Sequence, residues 1–263
     1  MSAARRVAAL LVVALAAGAC ARPAATSTAP APVPSATAAN HSSRLDAATQ
    51  LVLVTTAGWD TTGGMLRRYE RASPGEAWRP VGEAWPIVVG RTGLAWGDAA
   101  GVAPDAAPIK HEGDGRAPAG RFPLDTVFGF APASEAAWVR LPYVALTPGT
   151  DCVDDTASVH YNTVVDRGAV PRVDWASAEH MRQVDQYRLG VIVGYNAPPR
   201  AGRGSCIFLH IWAGAGSSTA GCTAMDERDL RELVLWLDRA RRPVLVQLPD
   251  AEYARLRGAW GLP

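Results

Sequence analysis

The segment GSCIFLHIWAGAGSSTAGCTAM, residues 204–225, places an imidazole, His210, and a thiol, Cys222, on either side of a glycine-rich loop. A thiol with an ordinary pKa near 8.5 is mostly protonated at neutral pH, and its thiolate is the nucleophile. A neighbouring imidazole can take that proton, and amides beside the sulfur can hold the oxyanion formed when sulfur attacks a carbonyl. Gly221 removes a side chain next to Cys222, so a bulky acyl donor can approach. The chemistry suggested is cysteine-based acyl transfer. The competing reading is bland: a histidine alone in an apolar strand is commonly a core residue, and a buried cysteine is commonly an inert small hydrophobe.

These residues need elements to hold them. Residues 207–212, IFLHIW, have the length and branched-aromatic content of a buried strand, and Gly214 and Gly216 permit an irregular loop after it. Helix signals then follow Cys222. Asp226 is the expected cap, Glu227 and Asp229 suit the positive end, and Leu230, Leu233, Val234 and Leu237 share one face. Arg239, Arg241 and Arg242 are expected at its far end, with Pro243 closing it. That places Cys222 near a helix start, whose amides would lower the thiol pKa. Residues 51–56, 65–69, 86–90, 189–193 and 244–248 read as further strands between turn-rich segments. No solenoid repeat is visible, and Gly63, Gly64 and Gly90 lack the strand–helix setting of a phosphate loop.

The chain has 263 residues, with Lys+Arg 26 against Asp+Glu 25. That balance argues against nucleic acid as a partner, which needs a basic surplus or stripe. A hydrophobic share of 48% without a strict period excludes collagen-like, coiled-coil and largely disordered classes. Arg5 and Arg6 precede an apolar stretch over 7–19, shorter than the roughly twenty residues a membrane helix needs. Residues 1–19 are therefore expected to be a secretory signal. The stretch ends LAAGAC, which resembles a bacterial lipobox and implies cleavage before Cys20 with a lipid on its sulfur. An exported, membrane-anchored protein of the cell envelope is the expectation. Residues 20–44, rich in Pro, Ala, Ser and Thr, read as a solvated tether, leaving 45–263 as one monomeric domain.

The four cysteines then divide by role. With Cys20 lipidated, Cys152, Cys206 and Cys222 allow three pairings on paper. The surroundings of Cys222 make it the candidate free thiol, so Cys152–Cys206 is the expected disulfide in an oxidising compartment. A rival set of Cys206, His210 and Cys222, with His160, around zinc lacks the accompanying C-x-x-C pair. No metal or cofactor is expected.

His210 followed by STAGC at 218–222 resembles the active-site signature of the L,D-transpeptidase catalytic domain (YkuD-type) family. Residues 113–124, GDGRAPAGRFPL, are similar to that family's Thr-Pro-x-Gly-x-Phe element, and the two similarities together span about residues 50 to 250. The branch most alike comprises small exported proteins whose centre reads DCVDD (151–155), HYN (160–162) and SAEHM (177–181). Ala220 departs from the histidine of the main branch, and the interval from His210 to Cys222 is shorter. The resemblance implies a mainly β fold, a curved sandwich or barrel-like sheet with one or two packed helices. It implies that Cys222 forms a thioester with a peptidoglycan stem peptide, with His210 as base and the backbone carbonyl of Ile211 orienting it. Gly221 and Cys222 would supply oxyanion amides. An amine acceptor would give transpeptidation and water would give carboxypeptidase activity; a catalytically silent peptidoglycan-binding lipoprotein is the alternative. Ser218, Thr219, His160, His180, Tyr187 and Asn196 are candidates to line the donor pocket. Against that, Asp154 and Asp155 suit a solvated loop, and His160 suits local packing.

Overall fold

A computed structural model describes residues 45–97 and 103–263. The expected signal at 1–19, the lipid site Cys20 and the tether over 20–44 lie outside the described residues. The strands that build the fold are β1 (Gln50–Thr56), β2 (Gly63–Glu70), β3 (Arg79–Val88), β4 (Leu94–Trp96), β5 (Ala117–Gly129), β6 (Tyr143–Ala145), β7 (Thr150–Val153), β8 (Val164–Asp166), β9 (Ala178–His180), β10 (Leu189–Val193), β11 (Phe208–Ile211), β12 (Thr223–Met225) and β13 (Val244–Pro249). Helix α1 covers Glu227–Trp236 and helix α2 covers Asp250–Leu256.

The fold is mainly β, as expected. Eight strands pair in the order β5, β10, β11, β12, β3, β2, β1, β13, and β13 pairs back onto β5 to close a barrel. Closure removes the unpaired edges that an open sheet would present. Every residue of β1 is buried, which accounts for its continuous apolar run: one face lies in the core and α2 packs on the strand. β5 is the longest strand and carries the second segment of the resemblance, pairing with β13 and β10 and with the short β4 and β6. The expected strands at 51–56, 65–69, 189–193 and 244–248 all lie within observed strands.

A separate three-stranded sheet, β8-β7-β9, stands beside the barrel. Its β7 carries Cys152, bonded to Cys206 as expected. A second core fills the space between the two sheets, with Phe128, Leu146, Met181, Tyr187 and Phe208 packed around the disulfide and Cys222.

Two local expectations change. Asp226 does cap α1, accepting from the Arg228 amide, and Leu230, Leu233 and Val234 face the core. The helix ends at Trp236, however, because Asp238 starts a separate 3-10 turn over Arg239–Arg241 by accepting from the Ala240 amide. The arginines therefore cap that turn and not α1. Also, β12 separates Cys222 from α1, so the thiol is not at a helix start and gains nothing from the helix dipole, which acts only within the first turn.

Candidate active site

β11 and β12 run parallel, with Leu209 opposite Thr223 and His210 opposite Ala224. Paired residues point to the same side of a sheet and successive residues alternate. Cys222, just before β12, thus shares the face of Phe208 and His210, while Leu209 and Ile211 enter the larger core. The Phe208 amide donates to Cys222 Sγ at 3.3 Å, and the thiol donates to the Cys206 carbonyl at 3.4 Å. Cys222 is unbridged and only 6% exposed. Burial pushes its thiol pKa far up, and the charge of Glu179 adds to this against smaller opposing effects from the Phe208 amide and Lys110.

His210 is 9% exposed. Its Nδ1 lies 2.7 Å from the Ile211 carbonyl, which fixes that nitrogen as the donor and leaves Nε2 free of a proton in the neutral ring. Burial lowers the His210 pKa, partly offset by the bond to Ile211. Both groups are therefore neutral at rest. Among the described residues no hydrogen bond joins the two side chains, so the resting pair is a thiol and an imidazole, with the proton not yet transferred.

The loop between them is built from its own polar atoms. Ser217 donates to the Gly214 carbonyl at 2.6 Å, closing a turn in which Gly214 has φ +146°. Thr219 Oγ1 donates to the Cys222 carbonyl at 2.7 Å and accepts from the Gly221 amide at 3.1 Å. The backbone of Thr219 also accepts from the Arg91 amide and donates to the Val89 carbonyl. Thr219 thus positions the Cys222 turn, with both roles of its hydroxyl already engaged. The Gly221 amide is already engaged, which removes it from the expected oxyanion pair and leaves that of Cys222. A Cβ on Gly221 would lie 3.1 Å from the Arg116 carbonyl, so the segment at 113–124 abuts the thiol loop. Ser218 is exposed at the loop tip.

Of the other candidates, Tyr187 reaches the site. Its ring meets His210 edge-on at 5.3 Å and Phe208 at 5.4 Å. His180 does not, for a reason of strand phase. On β9, His180 sits opposite Asp151 and Glu179 opposite Cys152; the two side chains therefore point to opposite faces. His180 Nδ1 bonds the fully buried Asp151 at 2.8 Å, beside Trp175 Nε1 at 3.0 Å and Arg167 at 3.5 Å. His160 packs edge-on to Trp175 at 5.5 Å, which is local packing. Asn196 staples its own loop to the Arg200 and Gly204 carbonyls. Asn162 donates to the Tyr195 and Asn196 carbonyls and accepts from the Cys206 amide, holding Cys206 at φ +56°. With Cys206 bonded to Cys152, it is lost to the rival zinc set.

Two contributors were not singled out from sequence. Glu179, half-buried, takes the Tyr187 hydroxyl at 2.5 Å. Lys110, the sole lysine of the chain, is buried with Nζ 2.7 Å from Asp114. A lone lysine in an arginine-rich sequence was the available signal for the second. A cleft of about 890 Å³ lined by Tyr69, Arg71, Trp78, Tyr253 and Trp260 contains none of these residues.

No family model matches the chain, and no curated protein matches it. Among solved structures it is similar to the crystal structure of the helical cell shape determining protein Pgp2 from Campylobacter jejuni, at 15% identity with a TM-score of 0.36. That similarity covers 79% of this chain and 53% of the other, so the chain spans about half the length of that structure.

Proposed function

We propose that the protein is a cysteine acyltransferase of the cell wall, acting on peptidoglycan stem peptides in the manner of an L,D-transpeptidase. One observation carries the reading: a free thiol and an imidazole share one face of adjoining parallel strands, with the imidazole oriented by the Ile211 carbonyl so that its open nitrogen is Nε2.

Catalysis from a neutral pair proceeds by general base transfer. The Cys222 thiol turns from the Cys206 carbonyl and passes its proton to His210 Nε2 as sulfur attacks the amide between an L-centre and a D-centre of a tetrapeptide donor. The Cys222 amide holds the oxyanion. Collapse breaks the C–N bond, and the proton on Nε2 moves to the departing D-amino acid. An acceptor amine then attacks the thioester carbonyl and gives a proton to His210 Nε2; collapse breaks the C–S bond, and that proton passes from His210 to the departing sulfur, restoring the neutral pair, while water in place of the amine gives the carboxypeptidase product. The lipid at Cys20, the exported location and action as a monomer belong to the same proposal.

The depth of the thiol favours a second reading, a stem-peptide-binding domain without turnover. Intact mass after incubation with a carbapenem separates the two. The acyltransferase gains one adduct that Cys222→Ala lacks; an unchanged mass in the unaltered protein ends the catalytic reading.

A further inference from the structure

Glu179 is the anion that faces the thiol. It lies opposite Cys152 on β9, Cys152 is bonded to Cys206, and the Cys206 carbonyl holds the Cys222 thiol. From the other side, the Tyr187 ring contacts His210 while its hydroxyl donates to Glu179 Oε2. Among the described residues no Lys, Arg or His pairs with this carboxylate. The neighbouring carboxylate on β7, Asp151, is by contrast served by His180 and Arg167, while Glu112 takes the Tyr161 and Ser205 hydroxyls and Asp154 the Ser177 hydroxyl. Burial raises the Glu179 pKa, the Tyr187 hydrogen bond partly offsets this, and the negative charges of Asp154 and Glu112 add to the rise. A half-buried carboxylate with no counter-charge is unfavourable in its charged form, and either a proton or a cation relieves it. Tyr187 fills one oxygen, and a carboxylate has about four acceptor sites, so Oε1 remains for a ligand.

We propose that Glu179 is a specificity-determining residue that anchors the side-chain ammonium of a diamino acid in the stem peptide. The proposal rests on the stem-peptide reading above. It adds a link between binding and activation: an ammonium on Glu179 cancels the charge that opposes ionisation of Cys222, so the sulfur becomes easier to deprotonate once the correct peptide is seated. A neutral or acylated side chain would leave that charge in place.

The test uses a tripeptide stem ending at the diamino acid, which has no scissile bond, with its side-chain amine free or N-acetylated. Binding to the unaltered protein and to Glu179→Gln is measured by calorimetry. Gln keeps an acceptor for Tyr187 and removes the charge. The free amine is expected to bind the unaltered protein about tenfold or more tighter than the acetylated peptide, the range of a charge-assisted hydrogen bond. In Glu179→Gln the two peptides should bind alike. Equal binding by the unaltered protein, a preference that survives in Glu179→Gln, or no binding of either peptide overturns the proposal. Amine preference without any Cys222 adduct would leave the anchor and sink the transferase; an adduct without amine preference would do the reverse.

Discussion

Cys222 and His210 shift in opposite directions, and both shifts favour the neutral pair. Burial holds His210 below its ordinary 6.5 and Cys222 well above the ordinary range of a thiol. The reactive form, neutral thiol beside neutral imidazole, is therefore populated from below 6.5 to above 9. The rate of acylation by a carbapenem should show a plateau across that whole interval, falling in acid as His210 gains a proton. A bell with half-heights at the ordinary values would contradict the neutral pair. His210→Asn should slow acylation by about 10²–10⁴-fold, the usual worth of a positioned base. Glu179 allows a separate test by stability. Its raised pKa means the folded state binds more protons than the unfolded one above the ordinary 4.5, so stability falls as pH rises through the folded pKa. Glu179→Gln removes that loss. It should melt higher than the unaltered protein at pH 8, with the gap vanishing below pH 4.5; each kcal/mol corresponds to about 2–4 °C.

At the scale of elements, the site depends on packing that ties three strands to one aromatic cluster. Gly190 on β10 shows this: a Cβ there would lie 2.2 Å from the Phe128 ring. Phe128 is fully buried, with Phe208 at 5.0 Å and Tyr187 at 5.6 Å, so it cannot yield without moving the ring that borders His210. Gly190→Ala should cost about 1–3 kcal/mol as overpacking and slow acylation, both readable from one melting series and one adduct time course. The disulfide acts on the same cluster. It closes a sequence separation of 54, worth about 4 kcal/mol in the chain-entropy model. Replacing Cys152 and Cys206 together by Ala should lower Tm by about 8–16 °C.

These elements also show what a sequence can disclose. The run at 189–193 declared β10 because an uninterrupted apolar stretch of strand length has few other uses. β12 and β9 are three residues each, too short for any periodicity to register. That shortness misplaced Cys222 at a helix start. It also hid the phase of β9, where a shift of one residue decides whether His180 or Glu179 faces the thiol. The residue types of His210 and Cys222 marked where to look, and the resemblance pointed to the Ile211 carbonyl that lies 2.7 Å from His210 Nδ1; the loop's own hydrogen bonding, which uses up Thr219 and Gly221, was not legible, because it depends on a conformation set by Val89 and Arg91 from a distant strand connection.

For the whole molecule, the order of the barrel makes its two ends of sequence interdependent. β1, the first strand, lies between β2 and β13, pairing antiparallel with one and parallel with the other. Gln50 strengthens the join, donating to the Trp236 carbonyl and accepting from the Asp238 amide. β13 also pairs with β5, the strand that closes the barrel onto β10. Removing β13 would therefore open two ladders at once, leaving the buried β1 and β5 with unpaired backbone groups that cost free energy away from water. Removing α2 alone would expose apolar surface on β1 and β13 but keep every barrel pairing. Two truncations separate these effects. A chain ending at Pro249 should keep a cooperative thermal transition at reduced Tm and still form the Cys152–Cys206 bond. A chain ending at Arg242 should lose the transition and its near-ultraviolet circular dichroism, and aggregate through the exposed edges. Cooperative melting of the shorter chain would mean that β1 and β5 can close on each other without β13, and that barrel closure is not what positions β11 and β12 for chemistry.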